Sequence, residues 1–223
     1  PPPALLDQPP PGQEVAGQGE GAVGRVGEDR ARAYNLQSLR HILSALEPLY
    51  PELLYSVMRI LGLPIHDTWW TAETGMITIA NFPSVSIKPG YLGKPCPGIK
   101  VAIVDGQGKE LPYFTMGELA LGVGWPAMVR GIWGNEERYQ SYFTKKPWFI
   151  SGDIAYIDFN GYFFYQGRAD DVIITSGGRI GPTEIENVLT SHPAIAEAGV
   201  IRVPDATGVK KVKIGTAGSI SRT

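Results

Sequence analysis

Thr68-Trp69-Trp70-Thr71-Ala72-Glu73-Thr74-Gly75 is the stretch on which the reading of this chain turns. The apolar run Ile65 to Trp69 reads as a short strand. Two adjacent tryptophans at its end, then hydroxyls, a glutamate and a glycine, are more than core packing alone selects. An aromatic wall beside a polar loop fits a small-molecule pocket. The alternative is that one tryptophan is core and the other covers a surface groove. Glu73 in such a loop suits Mg²⁺ that arrives with phosphates, since those sites use one or two carboxylates.

Upstream, Pro51 to Leu61 reads as a helix with proline at its start, and Leu39 to Ala45 as a buried strand, so an α/β segment precedes the loop. Residues 1–33 hold six prolines before Gly12 and six glycines from Gly12 to Gly27, with little to bury, and are expected to be a disordered Pro/Gly-rich tail. Downstream, Lys88 to Gly98 carries three prolines and three glycines and reads as loop. Beyond it the pattern becomes β-rich. Val101–Val104, Glu118–Val123, Trp148–Ile150, Ile154–Ile157 and Tyr162–Gln166 read as short strands, with hairpin signals at Asp105-Gly106 and Asn160-Gly161. Asn135 to Tyr142 reads as a helix. A further unit opens with Val172–Thr175, a helix from Pro182 to about Ser191 and an apolar strand Ala194–Val203. Residues 206–223 hold four cations, no acid and no amphipathic period, and no stable structure is expected there.

The chain has 223 residues, 43% of them hydrophobic, and a formal net charge of -2. That supports a sizeable core and gives no basic field for nucleic acid or an anionic membrane. A lone cysteine, Cys96, excludes an internal disulfide framework, and no apolar run reaches the length of a membrane span. A cytoplasmic location is the default expectation, with small molecules as partners.

Three further stretches bear chemistry. Ser151-Gly152-Asp153 puts a carboxylate on a glycine turn between two strands, where its acceptor oxygens suit vicinal hydroxyls such as those of ribose, or where it is simply a turn aspartate. Gln166-Gly167-Arg168-Ala169-Asp170-Asp171 sets a planar donor beside two carboxylates, for phosphate or ribose oxygens or for a solvated ion pair. Thr175-Ser176-Gly177-Gly178-Arg179-Ile180 is a hydroxyl- and glycine-rich loop ahead of a helix, where the backbone can approach a ligand and Arg179 can meet phosphates. Glu184 and Glu186 early in that helix fit capping. His41, His66 and His192 lack ligand spacing and read as structural.

In order, Ser44-Ala45-Leu46-Glu47-Pro48-Leu49, Thr68 to Gly75, Ser151 to Asp153, Gln166 to Asp171 and Ser176 to Glu186 resemble successive motifs of the acyl-adenylating superfamily, over about Tyr34 to Asp205. Lys88-Pro89-Gly90, Gly93-Lys94-Pro95, Gly124-Trp125-Pro126 and His192-Pro193-Ala194 are similar to AMP-forming acetate–CoA ligases. The resemblance implies an α/β plus β fold. Residues 34–90 would be the end of the α/β subdomain of an AMP-binding domain and 91–169 a small β-barrel-like subdomain. Residues 170–205 would begin a small α+β C-terminal domain, and 206–223 would be an unrelated basic tail.

It also implies that acetate attacks the α-phosphate of ATP, with Mg²⁺ assisting, and that the CoA thiol then displaces AMP. By the same resemblance Glu47 and Pro48 lie along the adenine, Asp153 accepts the ribose hydroxyls, and Arg168 contacts the ribose side. Arg179 faces the phosphates, Glu73 serves the magnesium and acts catalytically, Trp69 and Trp70 line the acyl pocket, and Asp170 is the hinge. Trp70 fills space that a chain longer than acetate would need. Ala72 stands where the family has a threonine on the α-phosphate, and Leu46 where it has a glycine beside the adenine. The upstream phosphate loop and the lysine of the C-terminal Ser-Gly-Lys have no counterpart here. The expectation is a ligase fragment inactive alone, a residual AMP/ATP-binding module, or a non-functional gene fragment.

Overall fold

The structure, a computed structural model, describes residues 31, 33–45, 49–171, 173–175, 178–190, 192, 194–203 and 211–218. Almost all of the Pro/Gly-rich stretch lies outside them, as do Leu46, Glu47, Pro48, Ser176 and Gly177. No helix among the described residues is long and apolar enough to cross a membrane.

The first sheet runs β1 (Ile42–Ser44), β2 (Ile65–Trp69), β3 (Ile79–Ala80) and β4 (Lys94–Pro95) in that order. β1 and β2 are parallel and joined through helix α1 (Pro51–Leu61). Proline opens α1 where its missing N–H costs nothing, and Gly62 closes it at φ 68, donating its N–H to the Met58 carbonyl. Leu54 of α1 packs with Leu49, Ile65 and Ile87. β1 is shorter and less buried than its sequence suggests: Leu43 is 55% exposed. The 88–98 stretch is also not all loop, because Lys94 and Pro95 pair with β3.

The second sheet is an antiparallel meander of β5 (Val101–Val104), β6 (Gly117–Gly122), β7 (Trp148–Ile157) and β8 (Phe163–Arg168), with α2 (Glu136–Ser141) between β6 and β7. Both expected turns form. Asp105 Oδ1 accepts the amides of Gln107 and Lys109, and Asp158 Oδ1 accepts those of Asn160 and Tyr162, with Gly161 at φ 82. Asn135 caps α2 by accepting the Arg138 amide.

The sheets meet at Gly93. Leu92 donates its N–H to the Phe163 carbonyl and Phe163 donates back to Gly93, at 2.9 and 3.0 Å. A Cβ on Gly93 would lie 2.2 Å from the Ala80 carbonyl, so only glycine admits this approach. Trp69 and Ile79 accordingly share one core with Leu92, Ile103, Leu119, Leu121, Phe149 and Phe163, and the packing runs straight through the expected subdomain boundary at 90/91.

Beyond β8, β9 (Ile173–Thr175) and β10 (Gly178–Ile180) form a hairpin, which corrects the expectation of a plain loop ahead of the helix. α3 (Pro182–Thr190) and β11 (Ile195–Val203) follow. β11 pairs antiparallel with β12 (Lys211–Gly218), so the tail expected to be unstructured contributes a strand. Lys211-Val212-Lys213-Ile214 alternates with period two, and a partner strand supplies the hydrogen bonds that such a short segment lacks alone. Glu186 does more than favour a helix start: its Oε1 accepts the Val200 amide at 2.9 Å and ties α3 to β11.

Candidate functional site

Asp153 sits on a bulge. Instead of two short strands with a turn between them, β7 is continuous, and three of its residues, Ser151 to Asp153, face the single residue Leu119 of β6. Gly152 takes φ 78, which an L side chain resists. The Ser151 hydroxyl donates to the Leu119 carbonyl at 2.8 Å and its Oγ accepts the Asp153 amide at 3.1 Å, which fixes the bulge.

The Asp153 carboxylate is 5% exposed, and each oxygen has one donor. Trp69 Nε1–H donates to Oδ2 and Arg168 Nη1–H to Oδ1, both at 2.9 Å. Arg168 also donates to the Ser151 carbonyl at 3.2 Å. The guanidinium lies over Gly152, where a Cβ would come within 2.9 Å of Nη2. Burial pushes the Asp153 carboxyl above its usual range, and the charge of Arg168 with the two hydrogen bonds opposes that push without cancelling it. Three strands from two sheets thus converge on one carboxylate.

Trp69 departs from its expected place in an acyl pocket. It is 7% exposed, belongs to the central core and spends its N–H on Asp153. Trp70, at 39%, faces outward beside the polar loop. Successive residues of an extended chain point to opposite faces, so adjacency itself signalled that only one indole could line a surface pocket.

The loop after Trp70 is pinned from within. Thr71 and Thr74 exchange backbone-to-hydroxyl hydrogen bonds at 3.0 and 3.2 Å, and Thr74 is fully buried. The Trp125 indole donates to the Thr74 carbonyl, the Val129 amide to the Glu73 carbonyl, and a Cβ on Gly75 would collide with the Ala127 carbonyl at 2.1 Å. Glu73 is half-buried, and its Oε1 accepts the Tyr142 hydroxyl at 2.7 Å. Burial alone would raise the Glu73 carboxyl. The hydrogen bonds from Tyr142, its own backbone and Thr71, with the charge of Arg138, outweigh it and hold the group below its usual range. Ala72 is exposed in the same loop.

Among the remaining expected site residues, Asp170 is exposed in the turn after β8, where the Ala169 amide donates to the Gly152 carbonyl. Arg179 lies on β10, paired with Ile174. Glu47 and Pro48 lie outside the described residues. Of the histidines, His66 is buried and donates from Nδ1 to the Asn81 carbonyl, and His41 stacks on it at 4.2 Å between ring centroids. A residue that the motifs did not reveal is Tyr142, which follows α2 and bonds Glu73; Ser44, which opens the first motif, donates its hydroxyl to buried Asp67 at 2.7 Å. No group of three or more His, Cys, Asp or Glu side chains able to hold a metal occurs among the described residues.

The site is thus a buried, doubly held carboxylate at a β-bulge beside an aromatic, carboxylate-bearing loop. Solved structures similar to this chain include the anthranilate CoA ligase AuaEII in complex with anthranoyl-AMP, with a TM-score of 0.78 and 32% identity over 87% of this chain and 37% of that one. The ATP-bound MatB from Rhodopseudomonas palustris gives a TM-score of 0.75 and 29% identity over 82% of this chain and 36% of that one. The family model described as AMP-binding enzyme matches residues 5–133, and the chain belongs to this family. Curated relatives similar to it include acetyl-coenzyme A synthetases. That of Bacillus subtilis is 55% identical over 180 residues, 81% of this chain and 32% of the relative, and that of Pyrobaculum aerophilum is 43% identical over 190 residues, 82% and 28%. The chain spans about a third of the length of the curated relatives it matches.

Proposed function

We propose that this chain carries part of the nucleotide site and the acyl-pocket wall of an AMP-forming acetate–CoA ligase. The overall reaction would join acetate to the α-phosphate of ATP with release of pyrophosphate, then pass the acetyl group to the thiol of CoA with release of AMP. The observation that carries the proposal is the Asp153 carboxylate, buried at 5% exposure and held by Trp69 and Arg168. With one donor on each oxygen, it keeps about two of its four acceptor sites for the vicinal hydroxyls of a ribose.

Arg168 would lie on the ribose side, and Arg179 would meet the phosphates. Glu47 and Pro48 would flank the adenine. Trp70 would limit the acyl group to acetate by filling the space of further methylenes, and Asp170 would absorb the backbone change between half-reactions. Glu73 fits a magnesium ion that enters with the nucleotide: one carboxylate, held ionised and part-exposed, with Oε1 taken by Tyr142. Such an ion supplies neutralisation of phosphate charge.

Calorimetric titration of the chain with AMP tests the reading. Binding that Asp153→Asn weakens about tenfold or more is the expected result, from the loss of charge-assisted hydrogen bonds. No heat at millimolar AMP would overturn it. The expectation that the chain alone turns over neither half-reaction has its own check: acetate-dependent pyrophosphate exchange above blank would refute it.

A further inference from the structure

Two donors hold Asp153, and they differ in kind. The Arg168 side chain is 49% exposed and long, so its guanidinium can leave the carboxylate without disturbing anything packed. The Trp69 ring is 7% exposed and sits in the central core with Ile79, Leu92 and Phe149. It has no second position to adopt without opening that core. Its N–H reaches from β2 in the first sheet to the β7 bulge in the second, across 2.9 Å. The backbone of Asp153 is fixed separately, by the Ser151 hydroxyl. What remains to be set is the rotation of the carboxylate, and the rigid indole sets it.

We infer that Trp69 is a positioning residue for Asp153, its indole N–H fixing the carboxylate so that the free acceptor sites are presented to a vicinal diol. The inference rests on the nucleotide reading above. It gives Trp69 a role distinct from the acyl pocket expected of it, and one that its volume alone does not supply. Phenylalanine at 69 would keep much of the packing but remove the donor that Oδ2 has among the described residues, leaving the carboxylate to follow the exposed guanidinium.

The test compares AMP with 2′,3′-dideoxyadenosine monophosphate by calorimetry on the native chain, Trp69→Phe and Trp69→Tyr. The native chain is expected to prefer AMP by about tenfold or more, the size of a hydrogen bond to a charged group. In Trp69→Phe, AMP binding falls by about that factor while dideoxy binding stays within about twofold, so the preference collapses. Trp69→Tyr, which restores an O–H donor, recovers part of it. If Trp69→Phe keeps the native preference, or weakens both nucleotides equally, Trp69 is only packing and the inference is overturned with the diol reading intact. A native chain that binds both nucleotides equally overturns the diol reading and this inference together. Should Trp69→Phe fail to fold, the native chain still decides: the Trp69 indole proton resonance must shift with AMP and not with the dideoxy analogue, and equal shifts overturn the inference.

Discussion

The meander β5–β8 fills its interior with Leu119, Leu121, Phe149 and Phe163, all at 1% exposure or less, and stacks Tyr142 on Phe149 at 5.2 Å between ring centroids. The parallel pair β1–β2 instead buries His66, Asp67 and Thr68, and leaves Leu43 half outside. There the Asp67 carboxylate accepts the Ser44 hydroxyl at 2.7 Å and the Thr68 amide at 3.0 Å, Thr68 Oγ1 donates to the Ser44 carbonyl, and the Asn81 Oδ1 beside them has no hydrogen-bond partner among the described residues. Apolar area stabilises that interior and does so at any pH, the Asp153 bulge apart. Hydrogen-bonded polar side chains hold the second, so it depends on single partners and on protonation.

The largest effect expected follows from the apolar side of this contrast. Phe163 is fully buried, and its backbone joins the two sheets through Leu92 and Gly93. Phe163→Ala should cost about 3–5 kcal/mol, the usual penalty for emptying a core aromatic site. Leu43→Ala, on the exposed face of β1, should stay within about 0.5 kcal/mol. Urea denaturation of both variants checks this. Similar losses in the two would break the comparison, because they would make β1 as much a part of the apolar core as β8.

Next in size is the response of the polar side to pH. Burial, ahead of the opposing hydrogen bonds from Ser44, Thr68 and Leu49, pushes the Asp67 carboxyl from 3.8 up to about 6. A carboxyl whose folded value is raised holds its proton more tightly in the folded chain. Its contribution is therefore fully present below pH 3.8 and lost as the pH rises through about 6. The full swing is of order 3 kcal/mol. His66 next to it, lowered chiefly by burial, works in the opposite sense: its contribution is lost as the pH falls. The difference between the native chain and Asp67→Asn isolates the aspartate. That variant should gain stability over the native chain between pH 4 and pH 7 in thermal melts, and parallel pH profiles would show that Asp67 does not titrate there.

What could be read from the sequence divides along the same line. Pro51, Asp105 and Gly161 act locally, through fixed or positive φ or side-chain to backbone bonds, and the helix and turns read at Pro51, Asp105-Gly106 and Asn160-Gly161 form where expected. Ser151-Gly152-Asp153 announced a break in β7 but not a bulge, because only the register against Leu119 distinguishes them. The hydrogen bonds from Trp69 to Asp153 and from Tyr142 to Glu73 join residues 84 and 69 positions apart, and no local pattern encodes such pairs. The β12 strand was missed because its alternation, Lys211 to Ile214, is only four residues long within a basic, acid-free stretch and needs β11 as partner to form. Site residue types were thus visible as motifs, while the partners that orient them were not.

The smallest effect expected lies where the two chemistries meet. Tyr142 belongs to the apolar sheet through its stack on Phe149, yet its hydroxyl donates to Glu73 in the polar loop. Tyr142→Phe keeps the ring and removes only the O–H, so it should cost about 0.5–1.5 kcal/mol at pH 7. The sign with pH is opposite to that of Asp67. Glu73 is held below its usual value, so its contribution is present above 4.5 and is lost as the pH falls through the lower folded value. Without the Tyr142 hydroxyl that contribution shrinks, and the gap between variant and native chain should narrow from pH 7 toward pH 3. Denaturant titrations at those two pH values measure it. A gap of equal size at both would mean that the hydroxyl supports the fold without reference to the Glu73 charge, and the loop would then belong with the apolar region rather than with the polar one.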